Sequence, residues 1–141
     1  MRYWDTSALV PIFLEEPSSA AMRALFDENS QMITWCWTVP EAVSALERRA
    51  REGSLDRVGR REALDRLMEM SDRWDEVTDV NAVRAKAITL LARHEIRAAD
   101  AAQLGAALLL EDLGVPGVPF VTLDIRLALA AEREGLRLLA A

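Results

Sequence analysis

The chain has 141 residues, 51% of them hydrophobic and 28% charged, and its 23 acids against 17 bases give a net charge of −6. Those figures suit one ordinary globular domain over 1–141 and exclude a disordered chain, a collagen-like repeat and a strongly basic histone-like binder. One cysteine (Cys36) and one histidine (His94) exclude internal disulfides, a cysteine zinc cluster and a histidine-based metal site within one chain, leaving carboxylates and hydroxyls to do any chemistry.

In chain order, Met1 to Trp4 has strand character and runs into Asp5. A helix is predicted from about Ser18 to Glu28, then a β-prone run from Met32 to Trp37. Thr38-Val39-Pro40-Glu41 reads as a helix start, with Thr38 a candidate cap, Pro40 tolerated in a first turn and Gly53 the stop. Asp56 to Arg73 is a second helix, with Val58, Leu64, Leu67 and Met68 along one face. Trp74 to Val77 reads as an edge strand, and Asp79 to Arg93 as a helix with Val83, Ala87, Ile88 and Leu91 inward. Ala98 to Leu113 is apolar enough to be a central helix, ended by Gly114. Pro119 to Leu123 is a strand, Ile125 to Glu134 a helix capped by Gly135, and Leu136 to Leu139 a last strand. Strands separated by helices predict an α/β sandwich of three layers around a mostly parallel sheet of about four to five strands. The longest apolar stretches, such as Leu104 to Leu110, fall far short of the ~20 residues of a membrane span, and no signal peptide is visible. A reducing cytoplasm is the expected location.

Ligands of open α/β sheets bind beyond the carboxyl ends of the strands, and three acids stand there: Asp5, Glu41 and Asp124. A fourth, Asp100, lies near the start of the most apolar helix, where no cap role accounts for it. Taken singly, Asp5 and Asp124 read as N-caps, and Glu41, three residues after Thr38, as half of a capping box. Taken together they form a cluster in which two charges 4 Å apart repel by ~4 kcal/mol at an effective dielectric of 20. A cation relieves that repulsion, and oxygen-only ligands select a hard ion, magnesium or manganese. Such an ion beside the hydroxyls of Thr6, Ser7 and Thr122 can bind phosphate, activate a water and stabilise a leaving oxygen.

Four segments carry a family resemblance over essentially the whole chain. Tyr3-Trp4-Asp5-Thr6-Ser7-Ala8-Leu9-Val10 resembles the first motif of the PIN-domain nucleases, and Thr38 to Leu46, with Glu41, resembles the second. His94 to Leu104, with Asp100, resembles the third, and Phe120-Val121-Thr122-Leu123-Asp124 the fourth. Length and third motif look most like the toxins of VapBC toxin–antitoxin modules. The resemblance implies Asp5 and Asp100 as principal Mg2+ ligands, with Mn2+ a possible substitute. Glu41 and Asp124 would complete the pocket directly, through water or at a second ion. It implies metal-dependent hydrolysis of an RNA phosphodiester, with transfer or ribosomal RNA as the usual substrate. It also implies inhibition by a VapB-type antitoxin and a homodimer. The rival reading is a catalytically idle PIN-like module that binds nucleic acid or protein.

An acidic enzyme must still hold a polyanion. Arg48, Arg49, Arg51, Arg57, Arg60 and Arg61 lie within Glu47 to Arg61 against three acids, and could contact RNA or an antitoxin or form an ordinary solvated face. Trp35, Trp37 and Trp74 read as core or interface residues rather than stacking platforms, His94 as a hydrogen-bonded loop residue, and Cys36 as inert packing within a strand.

Overall fold

The computed structural model describes residues 1–139; residues 140 and 141, the last two of the domain expected over 1–141, lie outside the described residues. Five strands, β1 (Arg2–Trp4), β2 (Met32–Trp35), β3 (Asp75–Val77), β4 (Phe120–Val121) and β5 (Leu138–Leu139), form one sheet in the order β3-β2-β1-β4-β5. Every pairing is parallel. The helices are α1 (Thr6–Phe13), α2 (Ser19–Glu28), α3 (Thr38–Arg51), α4 (Arg57–Ser71), α5 (Val80–Arg93), α6 (Ala98–Asp112) and α7 (Ile125–Arg133). The architecture is the expected α/β sandwich, with the sheet parallel throughout the described residues. No helix among them is long and apolar enough to cross a membrane.

Successive strand residues point to opposite faces, and the apolar pairs divide accordingly. Tyr3, Ile33 and Phe120 pack with α5, α6 and α7 on one face. Trp4, Met32 and Val121 pack with α1 to α4 on the other. Covered on both sides, the strands read as continuous apolar runs rather than alternating ones. Tyr3 and Phe120, adjacent across β1 and β4, stack with ring centroids 5.4 Å apart. The chain steps outward from β1 through β2 to β3, then returns to β4 and β5 on the other side of β1. The reversal between β1 and β4 is the switch point where an open sheet leaves a crevice at its carboxyl edge.

Several elements differ from the sequence reading. Helix α1 is the one the N-cap reading of Asp5 implied, but its extent was not read: Thr6 to Phe13 is eight residues with Pro11 inside, too short and too uniformly apolar to show a helical period. On α4, Ala63 and Leu67 are buried, whereas Val58 and Met68 are exposed, because α4 meets α3 and α1 along a narrow stripe. On α5, Val83 and Leu90 face inward while Ile88 and Leu91 face out. The seam between α5 and α6 is tight: a Cβ on Gly105 would lie 3.2 Å from the Val83 carbonyl oxygen and 3.3 Å from Lys86 Cβ. On α5 only Val83 and Leu90 are fully buried, with Ala82, Lys86 and Ala87 half-buried beside them. Strand β2 ends at Trp35, so Cys36 is half-buried in the turn leading to α3 rather than within a strand. Gly53, at φ +81°, follows α3 as the stop its position suggested.

Candidate active site

The loops after β1 and β4 meet at the switch point and are stitched together by hydroxyls. Asp5 follows β1 and caps α1, its Oδ2 accepting the Ser7 amide at 3.2 Å. The same oxygen accepts the Ser7 hydroxyl and, at 2.9 Å, the Thr122 hydroxyl from the end of β4. Ser7 Oγ in turn accepts the Leu123 amide, and Thr122 Oγ1 the Asp124 amide. Asp124 caps α7 by accepting the Leu127 amide on Oδ1 at 2.8 Å.

Glu41 departs from its expected capping box. Trp37 holds the N-cap position of α3, and the Thr38 hydroxyl turns inward to Thr34 at 2.6 Å. Freed from the helix end, the Glu41 carboxylate takes the Thr6 hydroxyl at 2.6 Å and the Gln103 amide at 3.1 Å, both on Oε2. Thr6 therefore serves Glu41 rather than Asp5. Asp100 is also corrected: it lies in the first turn of α6 and does have a capping contact, its Oδ2 accepting the Arg97 amide at 3.4 Å. That bond is long, and the carboxylate is only half-buried.

One pattern runs through all four acids. Each uses a single oxygen for its hydrogen bonds, Oδ2 in Asp5 and Asp100, Oε2 in Glu41 and Oδ1 in Asp124. Among the described residues, the other oxygen of each accepts none. One oxygen orients the group while its twin stays available; the plain N-caps Asp56 and Asp79 do the same, so what sets these four apart is that they gather at one place.

The electrostatics point the same way. Burial pushes the Asp5 carboxyl up to about 6, against the Ser7 and Thr122 hydrogen bonds that lower it and with a smaller push from Glu41. Burial also raises Glu41, with Asp100 adding to it, and raises Asp100, with Asp124 adding to it. The four acids thus form a chain of neighbours in which each feels the next. Among the described residues, no three His, Cys, Asp or Glu side chains stand close enough to hold a metal ion by themselves. The donor set still suits a hard cation that keeps most of its water and takes only one or two carboxylates, which is how Mg2+ usually binds.

Two open clefts meet at Asp100. One, of about 800 Å³, is lined by residues including Thr6, Ser7, Trp37, Glu41, Arg48 and Asp100. The other, of about 550 Å³, includes Arg97, Asp100, Asp124 and Arg126. Of the six arginines singled out between 47 and 61, only Arg48 lines either. Arg49 is tied to Glu16 and Arg60 to Glu47, while Arg51, Arg57 and Arg61 are exposed away from the clefts. His94 Nε2 donates to the Glu134 carboxylate at 2.7 Å, as a hydrogen-bonded loop residue should.

Gln103 was missed as a site residue. It is buried, its Oε1 takes the Tyr3 hydroxyl at 2.7 Å, and its Nε2 lies 2.9 Å from Thr6, 3.0 Å from Thr38 and 3.1 Å from Glu41. Burial holds the Tyr3 phenol well above its ordinary pKa, so it donates and aims the Gln103 NH2 at the site. The signal was a lone amide in the apolar run Ala98 to Leu110, which must find partners when buried.

The PIN domain family model matches residues 2–133. The chain belongs to the PIN domain family. It is also 30% identical over 138 residues to Ribonuclease VapC45 of Mycobacterium tuberculosis (strain CDC 1551 / Oshkosh), covering 96% of this chain and 92% of the relative. Ribonuclease VapC49 of Mycobacterium tuberculosis (strain ATCC 25618 / H37Rv) matches over the same shares at the same identity. In this PIN fold the four motif segments read from the sequence supply the four acids around the switch point.

Proposed function

We propose that this chain is a magnesium-dependent endoribonuclease, the toxin of a toxin–antitoxin module, folded as one PIN domain over 1–141. The observation that carries the reading is the convergence of Asp5, Glu41, Asp100 and Asp124 at the sheet's switch point, each anchored through one oxygen and each feeling the next. The relatives named as ribonucleases support RNA as the substrate.

Asp5 and Asp100 would hold the ion, with Glu41 and Asp124 reaching it directly or through water. A bound Mg2+ or Mn2+ supplies water activation and stabilises charge on the departing oxygen. The protein's own contribution is orientation. Ser7 and Thr122 fix Asp5, while Thr6 and Gln103 fix Glu41. Glu41, with its proton affinity raised by burial, suits acceptance of a proton from the attacking water. A VapB-type antitoxin covering the cleft would silence the site, and the toxin would act as a homodimer in the cytoplasm on transfer or ribosomal RNA.

A catalytically idle binding module is the second reading, favoured by the lack of a ready-made three-ligand group among the described residues. One experiment separates them. The purified chain, free of antitoxin, is incubated with defined transfer RNAs and Mg2+ or Mn2+ and resolved on a denaturing gel. Cleavage abolished by EDTA, Asp5→Asn and Asp100→Asn supports the nuclease. Activity surviving both substitutions overturns these site assignments, and bound metal with no cleavage of any RNA supports the idle module.

A further inference from the structure

Trp37 breaks two local rules at once. Among the described residues it is the one exposed aromatic, at 56%, whereas Trp4, Trp35 and Trp74 are at most 9% exposed. It also occupies the N-cap position of α3 with no side-chain capping bond, where Ser, Thr, Asp or Asn is favoured by about 1 kcal/mol. Departures of this kind concentrate where function overrides local stability. The sequence suggested core or interface; the structure stands the indole in the wall of the larger cleft, beside Glu41.

Trp37, Glu41, Ser44, Ala45 and Arg48 follow one another at helical spacing, so one stripe of α3 faces the cleft. Along the helix axis Trp37 lies about 6 Å before Glu41, and Arg48 about 10 Å after it. Arg48 is exposed, and among the described residues no carboxylate pairs with it, unlike its neighbour Arg49, which is held by Glu16. An indole face, then a carboxylate centre, then an unpaired guanidinium is the order of groups that a nucleotide strand can match. Its bases offer flat π-faces and its backbone offers phosphates.

We propose that Trp37 is a stacking platform for an unpaired nucleobase of the RNA substrate, and that Arg48 holds a phosphate of the same strand on the far side of Glu41. This rests on the nuclease reading and deepens it: the cleft accepts single-stranded RNA, because a base within a duplex has no free face to lay on the indole. The other apolar groups lining the cleft, Val10, Pro40, Ala45 and Ala99, are too small to make a docking ridge for an apolar protein segment.

The test uses the whole chain carrying Asp5→Asn, with Mg2+, so that RNA binds without being cut. With the other three indoles buried, iodide-accessible tryptophan emission reports Trp37. A short single-stranded RNA should shield and quench that emission, while a duplex of the same sequence and an abasic strand of equal charge should not. Trp37→Ala should weaken binding of the single strand about tenfold, within the range of one lost base stack. Trp37→Phe should weaken it less, and Trp37→Leu, which keeps apolar area and a folded chain but cannot stack, should match Ala. Arg48→Gln should weaken the intact and abasic strands alike. Unchanged affinity in both Trp37→Ala and Trp37→Leu, or equal quenching by the abasic strand, overturns the proposal while leaving cleavage by the parent chain intact. Quenching by an antitoxin but not by RNA assigns Trp37 to a protein interface and also overturns it. If the chain binds no RNA under any of these conditions, the nuclease reading falls with it.

Discussion

Asp5 sits where its own charge is penalised: it is buried, and burial lifts its carboxyl from 3.8 to about 6. A raised pKa means that the folded state holds the proton more tightly than the unfolded chain does. The stabilisation is therefore fully present below about pH 4 and lost as pH rises through about 6, an effect of about 3 kcal/mol for a shift near two units. Asp5→Asn removes that loss. Without metal, the variant should melt higher than the parent at pH 7.5 and about equally at pH 4, and added Mg2+ should raise the parent alone. A variant no more stable than the parent at pH 7.5 would show that the charge is already well solvated. Gln103 gives a second test at this scale. Gln103→Leu strands the buried Tyr3 hydroxyl, while Thr38 keeps its bond to Thr34, and should cost about 1–3 kcal/mol in urea denaturation. Loosening Glu41 should lower the cleavage rate by about 10- to 100-fold, the range for groups that orient a ligand. Asp5 was legible in the sequence because a strand giving way to a hydroxyl-bearing turn is a local pattern. Gln103 was not, since its partners Thr6, Thr38 and Glu41 lie 97, 65 and 62 residues away.

At the scale of elements, the strands and long helices could be read because each switches period at a capping or stopping residue, as Gly53 does after α3. Helix α1 showed only its cap, Asp5; its extent could not be read, since its eight residues bury Ala8, Leu9, Val10, Pro11 and Phe13 and so leave no polar face to set a period. The short strands were overextended for a related reason: Cys36 and Trp37 are β-prone by composition, but beyond Trp35 the backbone turns into the N-terminus of α3. Asp124 joins element and site. It caps α7, only nine residues long, through Oδ1 alone and also lines the smaller cleft. Asparagine caps as well as aspartate, so Asp124→Asn should keep the melting temperature, and Asp124→Ala should lose about 1 kcal/mol. If its charge serves the site, both should lose cleavage activity to the same extent. Full activity in Asp124→Asn would leave Asp124 a cap and nothing more.

At the scale of the molecule, a net charge of −6 sets a problem for any nuclease, and the ion pairs sharpen it. Many bases are already committed: Arg2 to Glu28, Arg23 to Glu15, Arg49 to Glu16, Arg60 to Glu47, Arg73 to Glu69 and Lys86 to Asp112. The arginine-rich stretch from 48 to 61 is therefore a poorer polyanion site than its composition suggests. What remains in the clefts is Arg48 and Arg97 on the larger, with Arg126 on the smaller. RNA held by so few guanidinia, a bound cation and base stacking should be only weakly sensitive to salt. For two phosphates neutralised on a single strand, log affinity should fall with log salt at a slope of about −1.4, against about −4 if all six arginines took part. The measurement is a binding titration of Asp5→Asn with single-stranded RNA across monovalent salt at fixed Mg2+. A slope near −4 would mean that the Arg49–Glu16 and Arg60–Glu47 ion pairs open to receive RNA and that the strand leaves the cleft across that surface. A slope near −1.4 would mean that few phosphates are neutralised and that most of the arginine-rich stretch takes no part in holding the strand.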